Sequence, residues 1–314
     1  MIRRRIAAAL VAGILATAFP PNAGAYPIPP QPLRKIYREA DLVATVIPGA
    51  TVRGVSGAFV DVKVLKCFKG KADQESIRVF YEPLVLCPPS ASFPKGNTVL
   101  AFLTRGRDGL FIPFACSYST KLISEASLRA YEGRMAELAR MKESQLKAIP
   151  DAEVLEWLIK CAEHPATRME AIYEFQGSPD YPPPLDEIAE PIRFDSLTEG
   201  QRGRLVKALL DSKELGSPEA SLAEFLMPVK DRRIDSALRE GLAKAIANKN
   251  SFLGNDLMEV LAQRLDIKKW STIQKGMYEW KTDEFGERFS GYAEESKRLK
   301  VLENALALVD SKLK

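Results

Sequence analysis

The hydrophobic period changes near the middle of the chain, and the change separates two regions. Between Asp41 and Thr120 apolar and polar positions alternate with a period of two, as in β-strands that have one buried face. The segment Val60–Val64 is the clearest case, because its three valines alternate with two charged residues. The pattern predicts strands at Leu42–Ile47, Val60–Val64, Ile77–Tyr81, Thr98–Thr104 and Leu110–Ala115.

Turn residues separate these strands, and short helices are predicted on both sides of them. Asp108-Gly109 lies between the last two strands and is a strong signal for a β-hairpin. The flanking helices are predicted over Pro32–Ala40 and Ser124–Lys142. Five closely spaced strands with few helices between them predict a small antiparallel barrel or a sandwich.

From Asp151 onward the period becomes 3.6, which is typical of amphipathic helices. Asp151 follows Pro150 and is predicted to cap a helix whose apolar face begins at Val154. Further helices are predicted over Ala166–Gln176, Thr198–Ser212, Pro218–Met227, Arg233–Asn248, Leu253–Asp266, Ile273–Lys281 and Tyr292–Lys312. Short turns between such helices predict an array of helical hairpins, of the kind found in α-solenoids, or alternatively a non-repeating bundle.

The first residues of the chain predict the cellular location of the protein. Three arginines precede the apolar run Ile6–Phe19, and Ala23-Gly24-Ala25 follows it. This combination predicts a secretory signal peptide over residues 1–25, cleaved after Ala25, whereas an uncleaved anchor is the alternative. The apolar run is shorter than the roughly 20 residues that span a bilayer. We therefore expect a periplasmic or secreted protein that is not inserted in the membrane after cleavage.

The charge of the chain gives little reason to expect a polyanionic partner. The predicted leader holds three of the 45 basic residues, so the remaining chain is nearly neutral. A basic patch on the predicted barrel could in principle bind a single nucleic-acid strand; it consists of Lys63, Lys66, Phe68, Lys69 and Lys71. Predicted export and near-neutrality both disfavour nucleic acid, so none is expected as a partner.

The four cysteines are expected to form disulfides in an oxidising compartment. Two bridges are expected, and three connectivities are possible among Cys67, Cys87, Cys116 and Cys161. A zinc site is the alternative, because His164 follows Cys161 by three residues. No C-x-x-C spacing is present, so we expect neither a metal nor a cofactor.

The first region also resembles a known family. The segments that carry the resemblance are EADLVATV, VDVKVLKCFKG, CPPSASFPKGNTVLAFL and DGLFIPFAC. Together with the closing helix they are similar to the netrin-like, TIMP-like OB-fold domain of secreted bacterial proteins, over residues 32–145. The resemblance implies an OB-like barrel and a Cys87–Cys116 bridge, which leaves Cys67–Cys161 as the second. Metalloprotease inhibitors of this fold begin with a cysteine, whereas this chain would begin at Tyr26, so their mechanism is not expected here.

Motifs for catalysis are absent from the sequence. His164 is the single histidine, and G-x-S-x-G, G-x-x-x-x-G-K and G-x-G-x-x-G do not occur. Acidic pairs such as Glu153/Glu156 and Glu294/Glu295 alternate with basic residues, as on solvated helix faces. Arg168 near Glu170 suggests a buried structural pair, and the proline-rich residues 177–184 suggest a spacer or a partner's ligand.

These observations predict an α+β multidomain protein. Residues 26–145 form the netrin-like OB-fold barrel and residues 146–314 form an all-α, HEAT- or armadillo-like array of helical hairpins. The expected function is that of an exported, non-catalytic binding or scaffold protein of the bacterial envelope, whose partner is an unidentified protein or envelope component. A hydrolase with paired carboxylates, or a protease inhibitor that uses barrel loops, is the alternative, and the oligomeric state stays open.

Overall fold

The chain folds into two compact units, Met1–Ser124 and Glu125–Lys314. The structure is a computed structural model that describes residues 32–54, 57–83, 90–147, 151–176, 192–282 and 288–314. The predicted signal peptide and the proline-rich segment 177–184 lie outside the described residues. The helix after the barrel, Glu125–Leu138, belongs to the second unit. The division between the units therefore falls earlier in the chain than residue 145, where the sequence places the boundary.

The described part of the first unit is a short helix followed by strands that close into a barrel. Its elements are α1 (Leu33–Glu39), β1 (Leu42–Arg53), β2 (Ala58–Lys69), β3 (Ser76–Tyr81), β4 (Val99–Arg105), β5 (Phe111–Pro113) and β6 (Thr120–Leu122). The strands follow the order β1-β2-β3-β5-β4, and β4 pairs with β1 to close the ring, while β6 extends from β4. The predicted small barrel with flanking helices is therefore confirmed.

One pairing in this ring is parallel, and the number of strands explains it. In a closed ring of antiparallel neighbours the strand direction must reverse at every step, which an odd number of strands cannot satisfy. The parallel contact falls between β3 and β5, where Val79 lies opposite Phe111. The sequence predicted an antiparallel barrel, and this single mixed pairing is the difference.

The barrel interior is filled by the inward-facing residues of each strand. On β2 the predicted alternation is present, since Ala58, Val60 and Val62 are buried while Asp61 and Lys63 are exposed. Asp61 receives two hydrogen bonds from Arg78 on the neighbouring strand, at 2.7 and 3.0 Å. The sheet is covered on both faces where β1 meets β4, because consecutive residues of both strands are buried there.

Gly70 makes the turn after β2 possible. Its φ is +72°, and a side chain at this position would overlap the carbonyl oxygen of Asp41. Gly96 has a similar φ of +78° but open space around its Cα. A side chain at Gly96 would therefore face only an unfavourable backbone conformation, whereas a side chain at Gly70 would face the same conformation and a steric overlap.

We expect Gly70→Ala to destabilise the barrel by roughly 1–2 kcal/mol more than Gly96→Ala, which bears only the cost of a positive φ. Urea unfolding of both variants beside the unchanged protein measures the difference. Equal losses in the two variants would show that the backbone at Gly70 relaxes away from Asp41.

The described part of the second unit is mainly helical. Its elements are α2 (Glu125–Leu138), α3 (Glu143–Lys147), α4 (Ala152–Glu163), α5 (Arg168–Phe175), α6 (Glu199–Leu210), α7 (Ser217–Phe225), α8 (Arg232–Ala247), α9 (Ser251–Arg264), α10 (Trp270–Ile273), β7 (Tyr278–Thr282), β8 (Arg288–Tyr292) and α11 (Glu295–Leu313). The capping signals acted as predicted, because Asp151 accepts hydrogen bonds from the amides of Glu153 and Val154. Thr198 and Gln201 form a capping box at the start of α6.

The sequence prediction fails between Ile273 and Tyr292. A helix was predicted over Ile273–Lys281, whereas the chain forms a 3-10 turn at Gln274–Met277 and then the hairpin β7–β8. The aromatic residues Tyr278 and Trp280 favour a strand, and their spacing of two places both on one face. The last helix consequently begins at Glu295 rather than at Tyr292.

A buried ion pair joins successive helices of this unit. Arg168 pairs with Glu219 on α7, and its guanidinium also donates to the carbonyl oxygens of Ala162 and Ala208, at 2.8 and 3.2 Å. Glu170, the partner considered from the sequence, instead accepts a hydrogen bond of 3.0 Å from the Tyr131 hydroxyl. A structural role for Arg168 is therefore confirmed, but with a carboxylate from a distant helix.

We expect Arg168→Met to lower the free energy of unfolding by roughly 3–5 kcal/mol, because Glu219 would stay buried without its cation. The double variant Arg168→Met/Glu219→Gln should recover much of this loss, since glutamine still accepts from the Gly216 amide but carries no charge. Chemical denaturation measures both. A double variant as unstable as the single one would contradict the argument.

Candidate functional site

The hairpin β7–β8 sorts its side chains onto two faces. Tyr278 lies opposite Tyr292 and Trp280 lies opposite Ser290, while Thr282 lies opposite Arg288. Residues opposite each other in an antiparallel pair point the same way, and next neighbours along a strand point the other way. One face therefore carries Tyr278, Trp280, Tyr292 and Arg288, and the opposite face carries Glu279, Lys281 and Phe289.

Aromatic rings form a continuous row on the first of these faces. The rings of Tyr278 and Tyr292 stack with centroids 5.2 Å apart, and Tyr292 meets Phe252 of α9 edge-to-face at 5.0 Å. Trp280 extends the row and is 68% exposed, and Phe252 is 53% exposed. We call Phe252, Tyr278, Trp280 and Tyr292 the aromatic face. Isolated apolar residues are common on protein surfaces, whereas a group of large exposed rings marks a binding surface.

Hydrogen bonds at the base of the hairpin and on its opposite face hold it to the helices, in addition to the contact between Tyr292 and Phe252. Met277, just before β7, is buried, and its carbonyl oxygen accepts a hydrogen bond of 2.9 Å from the amide of Ala293, just after β8. Gln274 donates to Asn255 of α9 at 3.1 Å. On the opposite face of the hairpin, Lys297 of α11 donates to Glu279 at 3.1 Å. These contacts fix the hairpin while the aromatic face stays open.

Two arginines adjoin the aromatic face. The guanidinium carbon of Arg288 lies 5.6 Å from the ring centre of Trp280. That of Arg298 lies 4.4 Å from the ring centre of Phe252 and 5.4 Å from that of Tyr292. Both distances to Arg298 are within the range of cation–π attraction. The face therefore combines aromatic surface with positive charge.

The hydroxyl group of Tyr278 is a neutral hydrogen-bonding group on the aromatic face. Partial burial, together with the neighbouring Tyr292 and the carboxylate of Glu259, raises the pKa of Tyr278 above its usual value. Tyr278 thus keeps its proton at physiological pH and acts as a donor or acceptor, not as a nucleophile. Rings, hydroxyls and guanidinium groups can bind a ligand through stacking and hydrogen bonds.

The structure does not form the expected second bridge, Cys67–Cys161, and the implied Cys87–Cys116 bridge involves a residue outside the described ones. Cys67, Cys116 and Cys161 are free thiols, while Cys87 lies outside the described residues. The expected Cys67–Cys161 bridge is wrong for this structure, because Cys67 is exposed on β2 whereas Cys161 is fully buried in α4. Burial raises the pKa of the Cys161 thiol well above its usual range, so it behaves as a core residue.

We expect iodoacetamide to modify Cys67 in the native protein and to leave Cys161 untouched until the protein is unfolded, because only exposed thiols reach the reagent. Peptide mapping by mass spectrometry under non-reducing conditions checks both sites. A peptide in which Cys67 is linked to Cys161 would contradict the free thiols seen here.

His164 has no catalytic environment. Its Nδ1 accepts a hydrogen bond of 3.2 Å from the amide of Ala166, and burial with the nearby cations Arg134 and Arg168 lowers the pKa of its imidazole. Within the described residues no cluster of histidine, cysteine, aspartate and glutamate side chains could hold a metal ion. The Cys161–His164 zinc alternative therefore gains no support.

The carboxylates considered from the sequence are engaged by basic or amide groups. Arg204 of α6 binds Glu156 and Glu163 of α4 with N–O distances of 2.7 Å. Its hydrogen bonds lower the pKa of Glu163 below the usual range. A general acid needs a raised pKa, so Glu163 is poorly suited to that role in glycoside hydrolysis. Glu153 accepts from Gln145 at 2.7 Å, and Glu294 and Glu295 stand at the start of α11.

Two lysines of the basic patch on β2, Lys66 and Lys69, make contacts within their own unit. Lys69 donates to the carbonyl oxygens of Tyr37, at 3.0 Å, and of Arg38, at the end of α1. Lys66 lies over the ring of Phe68, with its Nζ 5.4 Å from the ring centre. These contacts satisfy the last carbonyl groups of a helix, which need donors. Lys63 and Lys71 of the same patch are exposed to solvent.

Sequence reasoning missed the aromatic face because it assigned Tyr278 and Trp280 to a helix. The available signal was their spacing of two, followed after a short gap by Phe289 and Tyr292. Neither the protein-family profiles nor the curated proteins compared with the chain give a match. Among the described residues no helix combines the length and apolarity needed to cross a bilayer.

Proposed function

We propose that the protein is a non-catalytic binding or scaffold protein, and that its aromatic face is the surface that contacts a partner protein. In this proposal it is exported to the bacterial envelope, as the predicted signal peptide suggests. Its barrel is of the netrin-like kind and its helical unit is of the HEAT or armadillo kind. The observation that carries the proposal is the exposed row of Phe252, Tyr292, Tyr278 and Trp280 on a fixed hairpin.

The composition of this face supports a role in protein binding. Tryptophan, tyrosine and arginine dominate the residues on which protein–protein affinity depends. Their rings offer a large area and lose little conformational entropy on binding, and each Å² of apolar surface removed from water contributes about 25 cal/mol. A rigid hairpin base lowers the cost of association further, because the surface is already ordered.

The alternative functions have less support from the described residues. Arg204 binds the carboxylates of Glu156 and Glu163, and its hydrogen bonds lower the pKa of Glu163, which disfavours Glu163 as the general acid of a hydrolase. No feature of the described barrel loops favours a protease inhibitor over a binding module. We therefore retain a single proposed function.

Site-specific photo-cross-linking tests the proposal. A benzophenone amino acid at Thr282, on the same side of the hairpin as Trp280, should give one defined adduct when the protein is produced in its own cells. Trp280→Ala should reduce this adduct roughly tenfold, because a central ring of the contact is removed. Phe289→Ala, on the opposite face, should leave it unchanged.

The probe at Leu122, a residue of the barrel that is 67% exposed, serves as the position control. Equal adducts from residues 122 and 282 would indicate non-specific capture. An adduct from residue 282 that persists in Trp280→Ala would show that the aromatic face is not the contact surface. Circular dichroism of each variant confirms that the fold is retained.

A further inference from the structure

Arg298 is buried beneath the aromatic face, and no anionic partner for it lies among the described residues. It lies in the first turns of α11 and is 8% exposed. Its Nε has no hydrogen-bond partner among the described residues, and no carboxylate there forms an ion pair with its guanidinium. The rings of Phe252 and Tyr292 are its close neighbours.

Other buried arginines of the same unit are fully provided with acceptors. Arg168 has the carboxylate of Glu219 and two carbonyl oxygens. The side chain of Arg264 is buried as well, and it has the carboxylate of Asp235 together with the carbonyl oxygens of Leu226 and Val229. Arg298 differs from both of these arginines, because no carboxylate or carbonyl oxygen of the described residues accepts from it, and a buried cation without an acceptor is costly.

The geometry points to an acceptor supplied from outside. A guanidinium stacked on rings keeps all its N–H groups in its own plane, so an acceptor reaches it at its edge. A carboxylate fits such an edge with two parallel hydrogen bonds. Arg288 adds a second cation to the aromatic face, while Glu279 points to the opposite face and binds Lys297.

The backbone of the hairpin favours a peptide as the source of this carboxylate. Within the described residues β7 and β8 form a sheet of two strands, and their backbone groups make no hydrogen bonds to other elements. Each outer edge can therefore accept an added strand. An added strand would place alternate side chains over the aromatic face.

We propose that the aromatic face binds an extended acidic peptide segment, whose aspartate or glutamate side chain pairs with Arg298 while an apolar side chain two positions away packs on Trp280 and Tyr278. This inference rests on the proposed function and specifies the chemistry of the partner. It commits to a peptide and not to a saccharide, because the open strand edges complement a peptide backbone.

A peptide array tests the inference. The probes are capped nonapeptides in which each position in turn is fixed to one amino acid, and the fluorescently labelled protein is applied to them. We expect a preference for aspartate or glutamate at one position, and for apolar residues two positions away. Replacement of that acid by its amide should weaken binding roughly tenfold, as for loss of a charge-assisted pair.

Variants of Arg298 connect this preference to the proposed site. Arg298→Gln should abolish the discrimination between acid and amide, and Arg298→Lys should restore part of it. Lys281→Gln, which removes a cation from the opposite face, is the matched control and should keep the full preference. Arg298→Gln should also melt no lower than the unchanged protein, because it removes a buried charge, whereas a purely structural arginine would destabilise when replaced.

Three results would overturn the inference. These are equal binding of acid and amide peptides, an acid preference that survives in Arg298→Gln, and binding of N-acetylglucosamine oligosaccharides in place of every peptide. None of these results contradicts the proposed function, which the cross-linking at Thr282 tests independently. A lost dependence of that cross-link on Trp280 would instead contradict the proposed function directly.

Discussion

A guanidinium removed from water needs hydrogen-bond acceptors around it, and this requirement organises the helical unit. Arg168 joins the end of α4, the end of α6 and the start of α7, because its acceptors come from all three elements. Arg264 does the same for the segment between α7 and α8, where Asp235 and two carbonyl oxygens surround it. Apolar packing supplies most of the stabilisation, but these arginines set which helix ends meet. Arg298 has no such acceptors among the described residues, and this distinguishes the surface above it from the rest of the unit.

The barrel depends on a different constraint, which is geometric. Its ring of strands closes through the pairing of β1 with β4, and the odd number of strands forces one parallel contact. The interior is filled by buried side chains from every strand of the ring, among them Val60 and Val62 of β2 and Val99 of β4. On the outer face of β2, Asp61 pairs with Arg78 of β3.

The aromatic face gives the proposed function a physical location. Phe252 comes from α9, Tyr278 and Trp280 from β7, Tyr292 from β8 and Arg298 from α11, so the surface is assembled from four elements. The fixed base of the hairpin presents the rings in a defined arrangement, which favours selective binding over general stickiness. Positive charge at Arg288 and Arg298 adds a preference for anionic partners. A cationic partner would be repelled by the two arginines, and a neutral partner would leave their charges buried without a counter-charge.

The sequence by itself determined the fold class and the approximate positions of most elements. The period of two predicted the strands, the period of 3.6 predicted the helices, and Asp151 and Thr198 marked helix starts that the structure confirms. These features were predictable because they are set by residues close together in the chain. The tertiary structure decided the rest: the parallel β3–β5 contact, the pairing of Arg168 with Glu219 rather than Glu170, the free thiol of Cys161, and the aromatic face. Each depends on which distant segments meet, since burial and acceptors come from residues far apart in sequence. The spacing of Tyr278 and Trp280 indicates a strand locally, but the meeting of that strand with Phe252 and Arg298 is decided by the tertiary structure.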